Sequence, residues 1–305
     1  MPMQRKPVRN HIDLHTHTAA SDGTLSPSDL VHAALDCGLD VLAITDHDTM
    51  AGVQQAIETA EGTVLRVLPG VELSALQGDQ CVHLLAYGID HTSPFLVKKL
   101  RALSLGREDR ARTIVELLED MGAPIPWDRV EALGKDTIAR PHIARVLVEE
   151  GHAVDIADAF ARYIGEGCPA YLPSGRMSLK EAVDLVRHGG GEVALAHPLG
   201  THPALDFAAV LPAALAAGIT GIEIYHTEHT PAATARLRRV AAEHNLWWCG
   251  GSDFHGPSKP AAVLGGVTVP EDVLEQGPFA RAFALAGKPE HDEVEATAAR
   301  EAMAR

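Results

Sequence analysis

The chain has 305 residues, 46% of them hydrophobic and 22% charged, which suffices for one large core or for a core carrying an inserted smaller domain. Its formal net charge of -15 excludes broad non-specific nucleic-acid binding, so duplex DNA is not an expected partner, although bound cations would still attract a phosphorylated substrate locally. Cys37, Cys81, Cys168 and Cys249 form no Cys-x-x-Cys pair, and the basic start MPMQRKPVRN lacks an apolar signal core; we therefore expect neither a zinc ribbon, a disulfide framework nor a membrane span, and a cytoplasmic location.

Short apolar runs alternate with helical patterns, the rhythm of a β/α architecture with a largely parallel sheet or barrel. A strand near His11 to Leu14 leads into the loop THTAASDG. Ser26 and Pro27 then supply an N-cap and a first helical residue for SPSDLVHAALDC, and Gly38 closes that helix. Strand DVLAIT ends at Asp46, helix GVQQAIETA follows, strand VLRVLPGVEL delivers Glu72, and CVHLLAYGI carries His83 inside a strand. From about Ser93 to Pro173 the alternation breaks into helical stretches, LVKKLRALSLGREDRARTIVELLEDMG, HIARVLVEEG and AVDIADAFARYIG, expected to form a subdomain over the barrel mouth. It resumes with SLKEAVDLVRHGG and EVALAHP, AALAAG and ITGIEIYH, and ARLRRVAAEHN and LWWCGGSDFH. The expected organisation is a barrel domain over 10–92 and 174–289, an inserted helical subdomain over 93–173, and a solvated or frayed tail over 290–305.

Histidines and carboxylates recur near the ends of the expected strands: His15, His17, Asp22, His47, Glu72, His83, His197, Asp253 and His255. Nine such donors exceed what one ion accepts, about four to six, and imidazole with carboxylate but no thiolate suits zinc, manganese or iron. Two or three divalent ions sharing a site is the natural reading, and the C-terminal rim of a β/α barrel is where such donors converge. His15 and His17, two apart on an extended chain, point to one face and can grip one ion together. Taken singly each has a plain alternative: Asp22-Gly23 a turn, His83 a hydrogen-bonded core histidine, Glu72 a loop cap. Their ordered occurrence at strand ends is what points to metal. Asp46 reads either as an acceptor for a ligand histidine or as an acceptor of backbone amides. His32, His152, His188 and His244 fall in helices or at their ends and receive no role.

The segments IDLHTHTAASDG, ITDHDT, GVELS, VHLLAYGID, LAHP and GSDFHG resemble, in order and over most of the chain, the motifs of the PHP (polymerase and histidinol phosphatase) family. The insertion, with Arg107 and Arg110 in an R-x-x-R and Arg140 and His142 in ARPHIA, is similar to the TrpH-like or YciV-like phosphoesterase branch, which includes 3′,5′-nucleoside bisphosphate phosphatases and 5′ to 3′ exoribonucleases. The resemblance implies a distorted (β/α)7 barrel with three divalent ions, manganese foremost, though the ligands themselves also permit Zn2+ or Fe2+. It implies three ligand sets: His15, His17, Glu72 and Asp253; Glu72, His83 and His197; and Asp22, His47 and His255. Closely spaced cations lower the pKa of a shared water and neutralise phosphoryl oxygens, so phosphate esters can be hydrolysed without a serine or cysteine nucleophile.

Arg140 is the candidate for gripping a phosphate, with Arg107 and Arg110 as further substrate contacts or simply a solvated helix face. His142 and His226 are candidates for protonating the leaving alkoxide. The expected activity is hydrolysis of the 3′-phosphate of a nucleoside 3′,5′-bisphosphate, or alternatively exoribonuclease action on short 5′-phosphorylated RNA. Histidinol phosphate would require recognition of an imidazole and an amine, and a urease-like amidohydrolase fits TDHD and the closing Asp-x-His poorly. A non-catalytic metal-binding module would have lost ligands, whereas here all nine positions are filled. No protein partner is implied.

Overall fold

The computed structural model describes residues 11–134, 138–172, 177–200 and 204–286; the expected tail and the side chain of Arg107 lie outside them. Strands β1 (Ile12–Asp13), β2 (Val41–Ile44), β3 (Arg66–Gln77), β4 (Gln80–Tyr87), β6 (Glu192–Leu195), β7 (Gly221–His226) and β8 (Trp247–Gly251) follow one another around a nearly closed barrel, and the two-residue β5 (Met177–Ser178) adds to β3 outside that path. The gap between first and last strands is spanned by hydrogen bonds from Leu14 N–H to Gly250 O (3.1 Å), Asp253 N–H to His15 O (2.8 Å) and His17 N–H to Phe254 O (2.9 Å). Gly251 permits this approach, because a Cβ there would lie 2.3 Å from the His15 nitrogen.

The strand faces divide the core in two. Ile12, Val41, Ala43, Leu68, Leu85, Tyr87, Ala194, Trp247 and Cys249 meet inside the barrel. Alternate residues such as Leu42, Ile44, Leu73, Leu84, Leu195 and Ile222 face outward. There they pack against α1 (Pro27–Asp36), α2 (Val53–Ala60), α7 (Leu179–His188), α8 (Phe207–Ala217) and α9 (Pro231–His244). The start of α1 forms as its sequence dictates, with the Ser26 hydroxyl accepting from Asp29 N–H at 3.1 Å and Pro27 in the first turn.

The sheet is largely parallel, with β4 running antiparallel to both β3 and β6. Strand β3 also continues five residues beyond Glu72, since its first half pairs with β2 up to Pro69 and its second half, from Gly70, forms a hairpin with β4. Glu72 therefore lies mid-strand, yet just past the end of the parallel β2–β3 ladder. His83 reaches the same rim from the first half of β4 because that strand runs the other way.

The helix α3 (Pro94–Asp120) belongs to two cores. Leu96 and Leu100 pack with the barrel's outer layer, whereas Ala111, Ile114 and Leu118 join a separate cluster with α4 (Trp127–Gly134), α5 (Arg140–Glu149), α6 (Ile156–Ala159) and the π-helical turn Phe160–Ile164. No helix among the described residues is long and apolar enough to cross a membrane.

Between β8 and the tail, which reads as a solvated helix or frayed end, no element is expected from the sequence, but α10 (Gly277–Ala286) lies there and plugs the barrel floor. Its Phe279 is buried against Tyr87 (ring centroids 4.9 Å) and Trp247 (5.7 Å). Phe279→Ala should cost about 3–5 kcal/mol of stability in denaturant unfolding, as expected for a buried phenyl ring. Turnover per folded molecule should be unchanged, since the floor lies at the opposite end from the ligand candidates.

Candidate metal centre

Glu72 is the hub of the rim. On β3 it shares the inward face with Ser74, which pairs with His83 across the hairpin. Its Oε1 lies 2.9 Å from His83 Nδ1 and 3.0 Å from His197 Nε2, while Oε2 lies 3.2 Å from His15 Nε2, 3.1 Å from His17 Nε2 and 3.3 Å from His47 Nδ1. Each oxygen thus faces a different group of imidazoles, the arrangement of a carboxylate able to bridge two cations.

The remaining donors complete two further groupings. Asp253 Oδ1 lies 3.4 Å from His15 Nε2 and 3.2 Å from His17 Nε2, so His15, His17, Glu72 and Asp253 surround one point. Asp22 lies 3.2 Å from His255 and 3.8 Å from His47, with His17 also 3.8 Å away, which makes a second cluster of four. Around Glu72, His83 groups with His47 as well as with His197. The structure therefore brings all nine sequence candidates together and adds His17 to the Asp22 group.

Several ring nitrogens of the cluster are left without hydrogen-bond partners. Among the described residues, both nitrogens of His17, Nδ1 of His47 and Nδ1 of His197 are buried without a hydrogen-bond partner, although carboxylate oxygens lie 3.1–3.3 Å from His17 Nε2 and His47 Nδ1. Buried polar atoms left in this state are costly unless something else satisfies them, and a divalent cation between imidazole and carboxylate does so. The donor set fits metal. Two of its members hold strained backbone: His197 has φ 26° and Asp253 φ 56°, conformations that cost non-glycine residues about 1–3 kcal/mol each.

Four similarities to known proteins bear on this geometry. A PHP domain is matched over residues 13–119. The chain is 36% identical over 249 residues to the 5′-3′ exoribonuclease Rnm of Escherichia coli strain K12, covering 80% of this chain and 85% of that protein. The chain belongs to the PHP family. It is also 33% identical over 265 residues to a 3′,5′-nucleoside bisphosphate phosphatase of Chromobacterium violaceum, covering 84% of this chain and 90% of the relative. The crystal structure of a metal-dependent phosphoesterase from Bifidobacterium adolescentis superposes with a TM-score of 0.80 at 34% identity, covering 94% of this chain and 99% of that one.

Around its metal donors this PHP chain carries supports that the sequence did not single out. Glu223, fully buried on β7, accepts from His15 Nδ1 (2.9 Å) and from the backbone N–H of His197 (2.6 Å). It thereby fixes the ring of one candidate ligand and the strained backbone of another. Burial opposes its charge, but His15 and His226 outweigh that and hold its carboxyl down at about 2. The available signal was a lone carboxylate inside the apolar strand GIEIYH. Asp46 takes the second of its two roles: it accepts from the backbone N–H and hydroxyl of Thr18 (both 2.7 Å) and from Ser21 Oγ (2.5 Å), shaping the loop that ends at Asp22.

The other candidates stand around this centre. His226 Nδ1 accepts from Glu228 N–H (3.1 Å), which leaves the proton on Nε2, 3.3 Å from Asp253 Oδ2. His142 Nδ1 accepts from Ala139 N–H (3.1 Å) while its ring also bonds the backbone of Ser21, and burial lowers its pKa. Arg140 donates to Ile164 O (3.1 Å) with its guanidinium against the rings of Tyr171 (5.3 Å) and Phe160 (5.6 Å). Arg110 lies half-buried on α3.

Protons stand in for cations in the free site. Burial opposes charge on His17 and His83, but Asp253 and Glu72 raise His17 to about 9, and Glu72 with Cys81 raises His83 to about 10. These raised values stabilise the metal-free fold fully below the ordinary histidine pKa, about 6.5, and that contribution is lost as pH rises through about 9 and 10. Thermal melts of chelated protein should accordingly fall from neutral pH to pH 10 while loaded protein holds, and metal titrations should show proton release and tighter binding as pH rises. Glu223→Gln should weaken metal binding about 10- to 100-fold by the same titration, the usual effect of removing a partner behind a ligand histidine.

Proposed function

We propose that this enzyme removes the 3′-phosphate from nucleoside 3′,5′-bisphosphates, using three divalent ions, manganese foremost, held by His15, His17, Asp22, His47, Glu72, His83, His197, Asp253 and His255. The observation that carries the metal-dependent reading is the convergence of these donors on the two oxygens of Glu72. The ions would supply charge for the phosphoryl oxygens and lower the pKa of the attacking water.

The chain's own residues supply placement. Burial of the donor side chains, none more than 15% exposed, admits a terminal phosphate more readily than the middle of a strand. His226, with its proton on Nε2 at the rim, is the group we assign to protonating the leaving alkoxide. His142 has both ring nitrogens engaged, and we assign it to holding the Asp22 loop rather than to proton transfer. Arg140 opens α5 two residues before His142, the residue that stands near the loop carrying Asp22, while its own guanidinium rests on Ile164 O and the Tyr171 and Phe160 rings. From that position Arg140 would read the second phosphate, with Arg110 and Arg107 of α3 as lesser contacts. The helical insertion over 93–173 is the substrate-reading part, and the barrel over 10–92 and 174–289 the chemical part.

The second reading, a 5′ to 3′ exoribonuclease on short 5′-phosphorylated RNA, is favoured by the 36% identity to Rnm. Both reactions use one centre and differ in what passes the insertion. Manganese-loaded protein given adenosine 3′,5′-bisphosphate and a 5′-phosphorylated RNA side by side should convert the first to AMP and leave AMP intact. Stepwise release of mononucleotides from the RNA, with the bisphosphate untouched, would establish the second reading instead.

Asp253→Ala should abolish turnover and lower bound metal, measured by elemental analysis, because it removes an anionic donor. Arg140→Ala should keep the metal and lower kcat/KM by about 30-fold, equivalent to about 2 kcal/mol for a charge-assisted phosphate contact.

A further inference from the structure

Among the described residues, Lys259 brings a cation to the centre beyond the nine donors. Lys259 Nζ contacts Asp253 Oδ2, the oxygen turned away from His15 and His17, on the side where His226 also sits. Its backbone is anchored by the 3-10 turn Gly256–Ser258, in which Lys259 N–H donates to Gly256 O (3.1 Å) and Ser258 Oγ to His255 O (3.0 Å). Gly256, at φ 74°, is packed so closely on Thr24 that a Cβ would lie 2.0 Å from its hydroxyl oxygen. A rigid base thus carries a long stem, 31% exposed, whose ammonium lies between the buried carboxylate and the rim.

Charge decides what this ammonium does once the site is loaded. In the metal-free arrangement it neutralises one oxygen of Asp253. Divalent ions on the Oδ1 side would offset the same carboxylate and repel a second cation, loosening the pair. An ammonium offers three donors and accepts none, so it can hold Asp253 and an anion together or pass from one to the other. Glu72 and Glu228 also lie close enough to favour its charged form, although burial acts against it.

We propose that Lys259 is a substrate-binding residue that takes a non-bridging oxygen of the phosphoryl group undergoing hydrolysis, with Asp253 as its resting partner. The proposal rests on the phosphoesterase reading of the site. It makes the segment from Asp253 to Lys259 bifunctional, one carboxylate for metal and one ammonium for phosphate.

The test is binding of inorganic phosphate to manganese-loaded wild-type, Lys259→Gln and Lys259→Arg proteins by calorimetry, with bound metal measured on each sample. We expect Lys259→Gln to keep its metal and bind phosphate at least tenfold more weakly, with a matching rise in KM for the nucleotide substrate, and Lys259→Arg to recover most of the phosphate affinity. Wild-type phosphate affinity in Lys259→Gln would overturn the proposal. Loss of metal from Lys259→Gln together with wild-type phosphate affinity in metal-replete Lys259→Arg and Lys259→Gln would overturn it too, showing that Lys259 only orients Asp253. Phosphate binding is read without turnover, so an error in the assigned nucleotide substrate would appear separately, as an inactive wild type that still binds phosphate.

Discussion

Glu72 sets the constraint on which the rest depends. A carboxylate only 1% exposed, facing five imidazoles at 2.9–3.3 Å, cannot be kept inside a protein without balancing charge. Protons on His15, His17 and His83 provide that balance in the free chain, while burial disfavours the charged form of His47 and His197, and cations would provide it in the loaded one. Metal binding, fold stability and pH are therefore coupled through a single side chain. The same coupling accounts for why Glu72 sits in the middle of a long paired strand. A mobile loop could not hold both oxygens toward separate ligand groups, whereas β3 is fixed by β2 on one side and β4 on the other.

The inner face of the barrel serves two ends with one pattern. Along β3 the inward residues run Leu68, Gly70, Glu72 and Ser74, apolar toward the floor and ligating toward the rim. Along β7 and β8 the pattern repeats, from Gly221 beside Trp247 to Glu223 beside Cys249. The aromatic floor of Tyr87, Trp247 and Phe279 excludes water from beneath the centre, and Tyr87 donates to Leu14 O at 2.6 Å just below His15. Floor and centre are thus layers of one packed interior, and the low dielectric of the first strengthens the electrostatics of the second.

Much of this was legible in the sequence, and the reasons are local. His15 and His17 announce themselves by a spacing of two, Ser26-Pro27 by cap chemistry, and Asp253 with His255 by position after an apolar run. Long-range pairing was less legible. Nothing in CVHLLAYGI states that its strand runs antiparallel, because strand direction depends on the tight turn at Gly78 and on pairing with both β3 and β6. Glu223 was hidden because one carboxylate in an apolar strand carries no periodic signal, and its meaning lies in contacts to residues 208 and 26 positions away. Lys259 was hidden because a surface-type residue after Gly-Pro-Ser reads as a loop. Helix α10 was missed because its apolar face has a partner only in the closed barrel.

The division of cores explains how one chemistry could serve different substrates. The donors are fixed by strands that share the barrel interior, while α4, α5 and α6 pack around a hydrophobic cluster of their own. The two meet where the His142 ring bonds the backbone of Ser21, on a loop that Asp46 holds from the opposite side. On the proposed reading, a change on the outer faces of the insertion would reshape what reaches the rim without moving Glu72. A change at His142 acts differently, since it would be transmitted through Ser21 to Asp22 and the donors around it. On the proposed reading, buried strands hold the chemistry and a separate core carries the selectivity, the two being joined by helix α3, which packs in both cores, and by His142 at the Ser21 loop.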